Sequence, residues 1–172
     1  DVCTGARVGA LCAAAGLCLA ASSSAADKLL LMHFMPWFQS PEIRGYWGDH
    51  WTGFDDQHDP DQAGPGGLPD IWSHYHPLIG PYDSMDPDVL ECQLLQMKLA
   101  GVDGVIADWY GTSQAADYPL IHEATIALFN AAGAFGMDFA ACYEDRTIEF
   151  LVNTGQLDPS QVRAHLTGQM AW

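Results

Sequence analysis

Three apolar segments of the sequence each end in carboxylate, imidazole or aromatic side chains. The segments and the residues that follow them are 29–32 with His33, Phe34 and Trp37, 102–107 with Asp108, Trp109 and Tyr110, and 139–142 with Tyr143 and Glu144. A buried strand that ends in this way places such groups at the rim of a sheet, which in a parallel α/β barrel is where the active site lies. The sequence therefore predicts one site built from several strand ends.

Asp108 and Glu144 end successive predicted strands, so we expect their carboxyl groups to lie side by side. Hydrolysis of a glycosidic bond uses two carboxyl groups, one protonated as the acid and one ionised as the base or nucleophile. Both residues are therefore candidate catalytic groups. Strand-end carboxylates also orient neighbouring groups or accept hydrogen bonds from sugar hydroxyls, and binding without catalysis is the alternative for each.

The long segment 36–85 is rich in aromatic and imidazole side chains. Aromatic rings stack on the C–H faces of sugar rings, and histidines form hydrogen bonds with sugar hydroxyls. The residues of this segment that we predict to bind substrate are Trp37, Trp47, His50, Trp51, His74 and Tyr75. The alternative is that several of these rings pack the segment onto the rest of the protein.

Histidine and aspartate are frequent in the same segment, but the spacings typical of a catalytic metal site are absent. The stretch Asp59–Gly64 resembles a calcium-binding loop only superficially, because Ala63 occupies a ligand position and Pro60 stiffens the turn. The motifs of serine hydrolases and of phosphate- or nucleotide-binding loops are also absent. The sequence predicts neither a metal site nor a cofactor.

Strand and helix patterns alternate along the chain. The predicted strands are 28–34, 102–107 and 138–142, and helices are predicted to begin near Pro87, Pro119, Thr147 and Asp158. Gly101 and Gly133 are predicted to end the first two helices. This alternation is typical of parallel strands joined by right-handed helical crossovers.

A complete (β/α)8 TIM barrel takes about 250 residues, and the chain has 172. We expect residues 27–172 to form the N-terminal part of such a barrel, about three βα units of an α/β fold. The absence of an initial Met and the predicted helix that reaches Trp172 support the expectation of a fragment. A compact small α/β domain is the alternative.

Residues 1–26 have the pattern of a secretory signal peptide. Arg7 precedes an apolar run, 8–21, and Ser24 and Ala26 are small residues where a signal peptidase cuts. The run is shorter than the ~20 residues of a membrane-spanning helix. We expect cleavage before Asp27 and a secreted, periplasmic or cell-envelope protein; a lipid anchor at Cys12 or Cys18 is the alternative.

The charge of the chain restricts its partners. Acidic residues number 22 and basic residues 6, so the formal net charge is −16. Such a surface repels nucleic acid and anionic membranes, and it suits a neutral oligo- or polysaccharide. We therefore expect a glycan substrate, no nucleic acid and no membrane contact beyond the signal peptide.

Four segments resemble the glycoside hydrolase family 71/99-like group, which contains endo-α-mannosidases. They are MHFMPWF at 32–38, GYWGDHW at 45–51, the run 71–111 and ACYEDR at 141–146. The resemblance implies a (β/α)8 barrel that cleaves α-linked glycans with retention, by a pair of glutamates on later strands beyond Trp172. It also implies that His33 and Phe34 face the sugar, that Trp109 lines a sugar subsite and that Glu144 hydrogen-bonds the substrate.

The sequence departs from the endo-mannosidases in two places. Phe34 replaces the usual tyrosine, and the proline that commonly follows the strand-three glutamate is absent after Glu144. These departures concern the specificity for mannan. Two functions are expected as alternatives. The first is a secreted hydrolase of mannan- or glucan-type α-linked glycans, inactive as this fragment alone; the second is a non-catalytic carbohydrate-binding protein that uses the same aromatic cleft.

Overall fold

A computed structural model describes residues 28–171 as an α/β structure built on one parallel sheet, and the expected signal peptide lies outside these residues. The strands are β1 (Leu31–Phe34), β2 (Gly104–Trp109) and β3 (Asp138–Tyr143). The helices are α1 (Pro41–Arg44), α2 (Asp49–Thr52), α3 (Pro87–Leu99), α4 (Tyr118–Ala134), α5 (Arg146–Asn153) and α6 (Val162–Gln169). No helix between residues 28 and 171 combines the length and the apolar character needed to cross a membrane.

The predicted arrangement of adjacent parallel strands is confirmed. The sheet order is β1-β2-β3, and β2 pairs in parallel with both neighbours. In this register His33 lies opposite Ile106, and Asp108 lies opposite Cys142. The carboxyl ends of all the strands therefore meet at one edge of the sheet, and each is followed by residues singled out from the sequence.

The helix ends follow from local chemistry. The Asp86 carboxylate accepts hydrogen bonds from the backbone N–H groups of Asp88 and Val89, which caps α3 at its start. Gly101, with a φ of 79°, provides the left-handed turn after this helix. The prediction that Gly133 ends α4 is wrong, because the helix continues to Ala134 and the left-handed residue is Gly136.

One face of the sheet carries the hydrophobic core. Val105 and Ala107 of β2 pack against Leu94 of α3 and Leu128 of α4, and Phe34 of β1 joins the same cluster. Because successive side chains of a strand point to opposite faces, the intervening residues of each strand lie on the other side. Helices α3 and α4 thus cover one face of the sheet, and the alternate residues of each strand lie on the opposite face.

The second face, which we call the open face, consists of alternate residues of the strands: Leu31, His33, Ile106, Asp108, Ala140 and Cys142. Of these, His33, Ala140 and Cys142 are exposed, whereas Asp108 is buried. Within residues 28–171, neither β1 nor β3 has a further strand on its outer side. The side chains of His33 and Cys142, near the strand ends, thus remain accessible on the open face.

The core predicts a clear contrast between two leucine variants. Leu128 is fully buried, so Leu128→Ala should lower the free energy of unfolding by about 2–5 kcal/mol, the usual range for a cavity of this kind. Leu78 is fully exposed, and Leu78→Ala should change it by less than about 0.5 kcal/mol. Denaturant unfolding of the full-length protein measures both; equal losses would contradict this description of the core.

Candidate functional site

Three side chains with different chemistry meet on the open face near its carboxyl edge. The imidazole of His33, the carboxylate of Asp108 and the thiol of Cys142 each offer an atom that lies within 4.8 Å of the other two. Each residue comes from a different strand. Their proximity follows from the strand register, because Asp108 and Cys142 are directly opposite one another and His33 occupies the same face.

Asp108 lies in β2 and Glu144 directly follows the neighbouring strand β3, close enough for the charge of Glu144 to act on Asp108. Burial raises the pKa of Asp108 above its usual range, and the negative charge of Glu144 raises it further, whereas His33 acts in the opposite direction. Only 7% of Asp108 is exposed. The surroundings of Asp108 therefore disfavour its ionised form.

Glu144 is held by the backbone at the end of β3. Its N–H donates to the carbonyl of Trp109 over 3.0 Å, which extends the pairing with β2 by one residue. Its carboxylate accepts a hydrogen bond of 3.0 Å from the N–H of Arg146. The side chain is half-buried, so one carboxylate oxygen is fixed by the chain while the group keeps access to solvent.

Tyr110 adds a phenol to this acidic edge. Burial, followed by the negative charges of Asp108, Asp117 and Glu144, raises the pKa of Tyr110. Its ring meets that of Tyr118 edge to face, with centroids 5.4 Å apart. The hydroxyl therefore stays protonated at neutral pH and is able to donate a hydrogen bond.

A second feature is a cavity of about 280 Å³ beside the loop that follows β1, which we call the aromatic cavity. It is lined by Trp37, Phe38, His50, Trp72, Ser73 and His74. Trp37 and His50 are stacked, with ring centroids 4.4 Å apart and planes 9° from parallel. Nε2 of His50 lies 3.2 Å from the carboxylate of Asp117, the residue before α4, so this contact joins the loops that follow β1 and β2.

The predicted loop residues divide into three groups. Trp37, His50 and His74 line the aromatic cavity. Tyr75 is highly exposed beside it, with its ring 4.5 Å from that of His74 between centroids. Trp47 is half-buried and does not line the cavity.

The prediction that Trp51 binds substrate is wrong. Its side chain is fully buried, its ring stacks on Phe38 with centroids 4.0 Å apart, and its indole N–H donates to the carbonyl of Tyr82 over 2.9 Å. A large ring with a satisfied N–H group is stable in a core. Trp51 anchors the loop and leaves its neighbours to face the cavity.

The predictions that Phe34 faces the sugar and that Trp109 lines a sugar subsite are also wrong, and both fail for the same reason. Both lie on the helix-covered face, and they are 7% and 2% exposed. The indole N–H of Trp109 donates to Nδ1 of His122 on α4 over 3.0 Å, so the ring packs against a helix and does not project over a cleft. The strand alternation places their neighbours His33 and Asp108 on the open face instead.

Two residues near the candidate site were not predicted from the sequence. Phe38 lines the aromatic cavity, although only its neighbour Trp37 was predicted to bind substrate. Cys142 was not among the candidate site residues. The alternation of side chains along the strand could have indicated it, because Cys142 lies two residues after Ala140 and on the same face as Asp108.

The contact between Trp109 and His122 predicts a pH dependence of stability. Burial lowers the pKa of His122, so the unfolded chain takes up a proton at a higher pH than the folded protein does. The free energy of unfolding should therefore fall as the pH falls from about 6.5, the unperturbed value for histidine, through the lowered pKa. Protonation of the Nδ1 acceptor also removes the bond from Trp109.

The fall in the free energy of unfolding with falling pH should be smaller in the variant His122→Gln. The control variant His76→Gln, at an exposed histidine, should show the same fall as the unmodified protein. Denaturant unfolding of the full-length protein at several pH values between 5 and 7.5 measures the slope. If the free energy of unfolding changes with pH equally in His122→Gln and in the unmodified protein, His122 is not the source of the pH dependence.

The chain is similar to curated proteins named glycoprotein endo-alpha-1,2-mannosidase-like protein. The protein of Mus musculus is 33% identical over 91 residues, and that of Homo sapiens is 32% identical over 91 residues. Each match covers 49% of this chain and 20% of the relative, so the chain spans about a fifth of the length of these relatives. The relation to endo-α-mannosidase-like proteins that the sequence motifs predict is confirmed; the chain matches no protein-family model.

Two solved structures of the GH99 endo-alpha-mannosidase from Bacteroides thetaiotaomicron also match. The complex with BIS-TRIS-propane has a TM-score of 0.49 at 20% sequence identity, and the match covers 77% of this chain and 38% of that one. The second structure has a TM-score of 0.47 at 18% identity and covers 74% and 40%, respectively.

Proposed function

We propose that the full-length protein is a glycoside hydrolase that acts on α-linked glycans of the mannan or glucan type, with retention of configuration. The observation that carries this proposal is the juxtaposition of Asp108 and Glu144 at the carboxyl edge of adjacent parallel strands. The names of the curated relatives support the same class of reaction.

Asp108 and Glu144 hold the sugar in this proposal, and the pair of glutamates implied by the family resemblance lies beyond Trp172. Glu144 keeps one carboxylate oxygen for a substrate hydroxyl, since its Oε1 is occupied by Arg146. Tyr110 supplies a hydrogen-bond donor close to these acids. This combination of fixed acceptors and a donor suits a polar, uncharged ligand.

The open face supports a (β/α)8 barrel as the fold of the full-length protein. A parallel sheet is normally covered on both faces, but here helices cover only one, and the outer edges of β1 and β3 lack partners among residues 28–171. Further βα units would close the sheet and enclose Leu31, Ile106 and Ala140. The carboxyl edge that carries Asp108 and Glu144 would then be the rim with the active site.

The aromatic cavity serves as an additional sugar subsite in this proposal. Trp72 is 46% exposed and lines the cavity, as do His50 and His74, whose imidazoles offer hydrogen bonds. The volume of about 280 Å³ is just below the range for small-molecule pockets, about 300–1,000 Å³. It therefore suits one unit of a glycan and not a whole oligosaccharide.

We also propose secretion or a location in the periplasm or cell envelope, with residues 1–26 as a signal peptide. This rests on the charged and apolar pattern of that segment and on the net charge of −16, which suits an encounter with a neutral polysaccharide. Nucleic acid and anionic membranes are disfavoured by the same charge.

The subsite assignment predicts weaker glycan binding when the ring of Trp72 is removed. Trp72→Ala should reduce affinity for an α-linked oligosaccharide by about 1–3 kcal/mol, or roughly 5- to 150-fold, the scale of an aromatic anchor in a binding site. Tyr46 is exposed to a similar extent but lies outside the aromatic cavity, so Tyr46→Ala should bind as the unmodified protein does. Calorimetric titration of the full-length protein makes the comparison, and equal losses in both variants would contradict it.

Glu144 is expected to matter for turnover and not for stability. Glu144→Gln should lower kcat/KM on α-linked mannan or glucan oligosaccharides at least about 10-fold, the effect of one lost charged hydrogen bond, with a nearly unchanged Tm. The control is Glu149→Gln, an exposed glutamate of α5, which should retain full activity. Tight glycan binding by the full-length protein without any cleavage would favour the non-catalytic carbohydrate-binding protein instead.

A further inference from the structure

We propose that His33, Asp108 and Cys142 form a binding site for a single Zn²⁺ ion on the open face of the sheet. The three ligand atoms lie within 4.8 Å of one another, and each is carried by a different strand. The site goes beyond the proposed function, since hydrolysis by a pair of glutamates requires no metal.

The nitrogen, oxygen and sulfur ligand atoms of this site favour zinc over calcium and magnesium. An imidazole nitrogen, a carboxylate oxygen and a thiolate sulfur are the ligands that Zn²⁺ binds in proteins. Ca²⁺ and Mg²⁺ prefer oxygen ligands alone, so Cys142 argues against both. Three protein ligands leave the fourth tetrahedral position open for water or a hydroxyl group.

The spacing suits a tetrahedral site after a small adjustment. Zinc–ligand bonds of about 2.0–2.3 Å place the ligand atoms of a tetrahedron roughly 3.3–3.8 Å apart, against the 4.8 Å limit observed here. His33 and Cys142 are exposed, so rotation of their side chains can close the difference. The backbone of three paired strands holds the Cα positions, which is the kind of rigid support that metal sites need.

Asp108 occupies the central strand of the sheet, between the strands that carry the other two ligands. It is 7% exposed, whereas His33 and Cys142 on either side of it are exposed. A cation held by these three groups would compensate the negative charge of the Asp108 carboxylate.

Cobalt is the appropriate spectroscopic probe, because a bond between Co²⁺ and a thiolate gives an intense near-ultraviolet charge-transfer band. The full-length protein, reduced and freed of metal by a chelator, should show this band at one equivalent of Co²⁺ and lose it when Zn²⁺ is added. Cys142→Ser should lack the band, and Cys92→Ser, which removes the other cysteine of the described residues, should retain it.

Zinc affinity gives a second measurement that does not depend on the thiol band. By calorimetry, Cys142→Ser and His33→Gln should each bind Zn²⁺ at least about 10-fold more weakly, as expected for loss of a ligand, whereas His76→Gln should bind as the unmodified protein does. Circular dichroism verifies that each variant is folded. Absence of stoichiometric binding, or binding that is unchanged in both Cys142→Ser and His33→Gln, would overturn the proposal.

These outcomes are separate from those of the glycan experiments. Metal binding is measured without any sugar, and glycan cleavage is measured with and without chelator. A protein that cleaves glycans but fails to bind Zn²⁺ contradicts the metal site alone, and one that binds Zn²⁺ through Cys142 without cleaving glycans contradicts the hydrolase alone.

Discussion

The register of β2 between its two parallel neighbours is the constraint on which the rest of the structure depends. It places Asp108 opposite Cys142 and aligns both with the face that carries His33. It also sends Val105 and Ala107 into the helix-covered core. Because side chains alternate along a strand, a shift of one residue would exchange the two faces, and it would bury the chemical groups while exposing the core. The burial of the core therefore fixes the geometry of the candidate site.

A second set of contacts lies within the loop 36–85 and joins its two ends to each other. Asp83 is almost fully buried and accepts a hydrogen bond from the N–H of Ser40 over 3.0 Å. Ser84 likewise accepts from the N–H of Phe38 over 3.0 Å. Together with the burial of Trp51, these bonds connect the segment just after β1 to the segment just before α3. The aromatic cavity consequently has a fixed wall although it is formed by irregular chain.

The sequence predicted those features that depend on neighbouring residues. It failed for side chains whose environment is set by residues far away in the chain. The Asp86 cap and the order of strands follow from local patterns and are present. The orientation of Trp109 depends on which face of β2 meets α4, and a strand pattern buried on both sides does not reveal that. The contact between His50 and Asp117 joins residues 67 positions apart, so no local signal could indicate it. For the same reason Trp51, which appears equivalent to Trp37 in the sequence, was assigned to the wrong environment.

Asp108 links the two proposals, because its carboxylate lies beside Glu144 at the carboxyl edge of the sheet and is also one of the three candidate zinc ligands. Glu144 and Asp117 add negative charge to the same edge, and the chain as a whole is strongly acidic. Sugar hydroxyls would compensate the carboxylate by donating hydrogen bonds, and a zinc ion would do so by charge. An ion at His33 and Cys142 would also leave a fourth coordination position open, where a hydroxyl group could bind it. The two modes of compensation are therefore compatible, and Asp108 is the residue at which glycan and metal would meet.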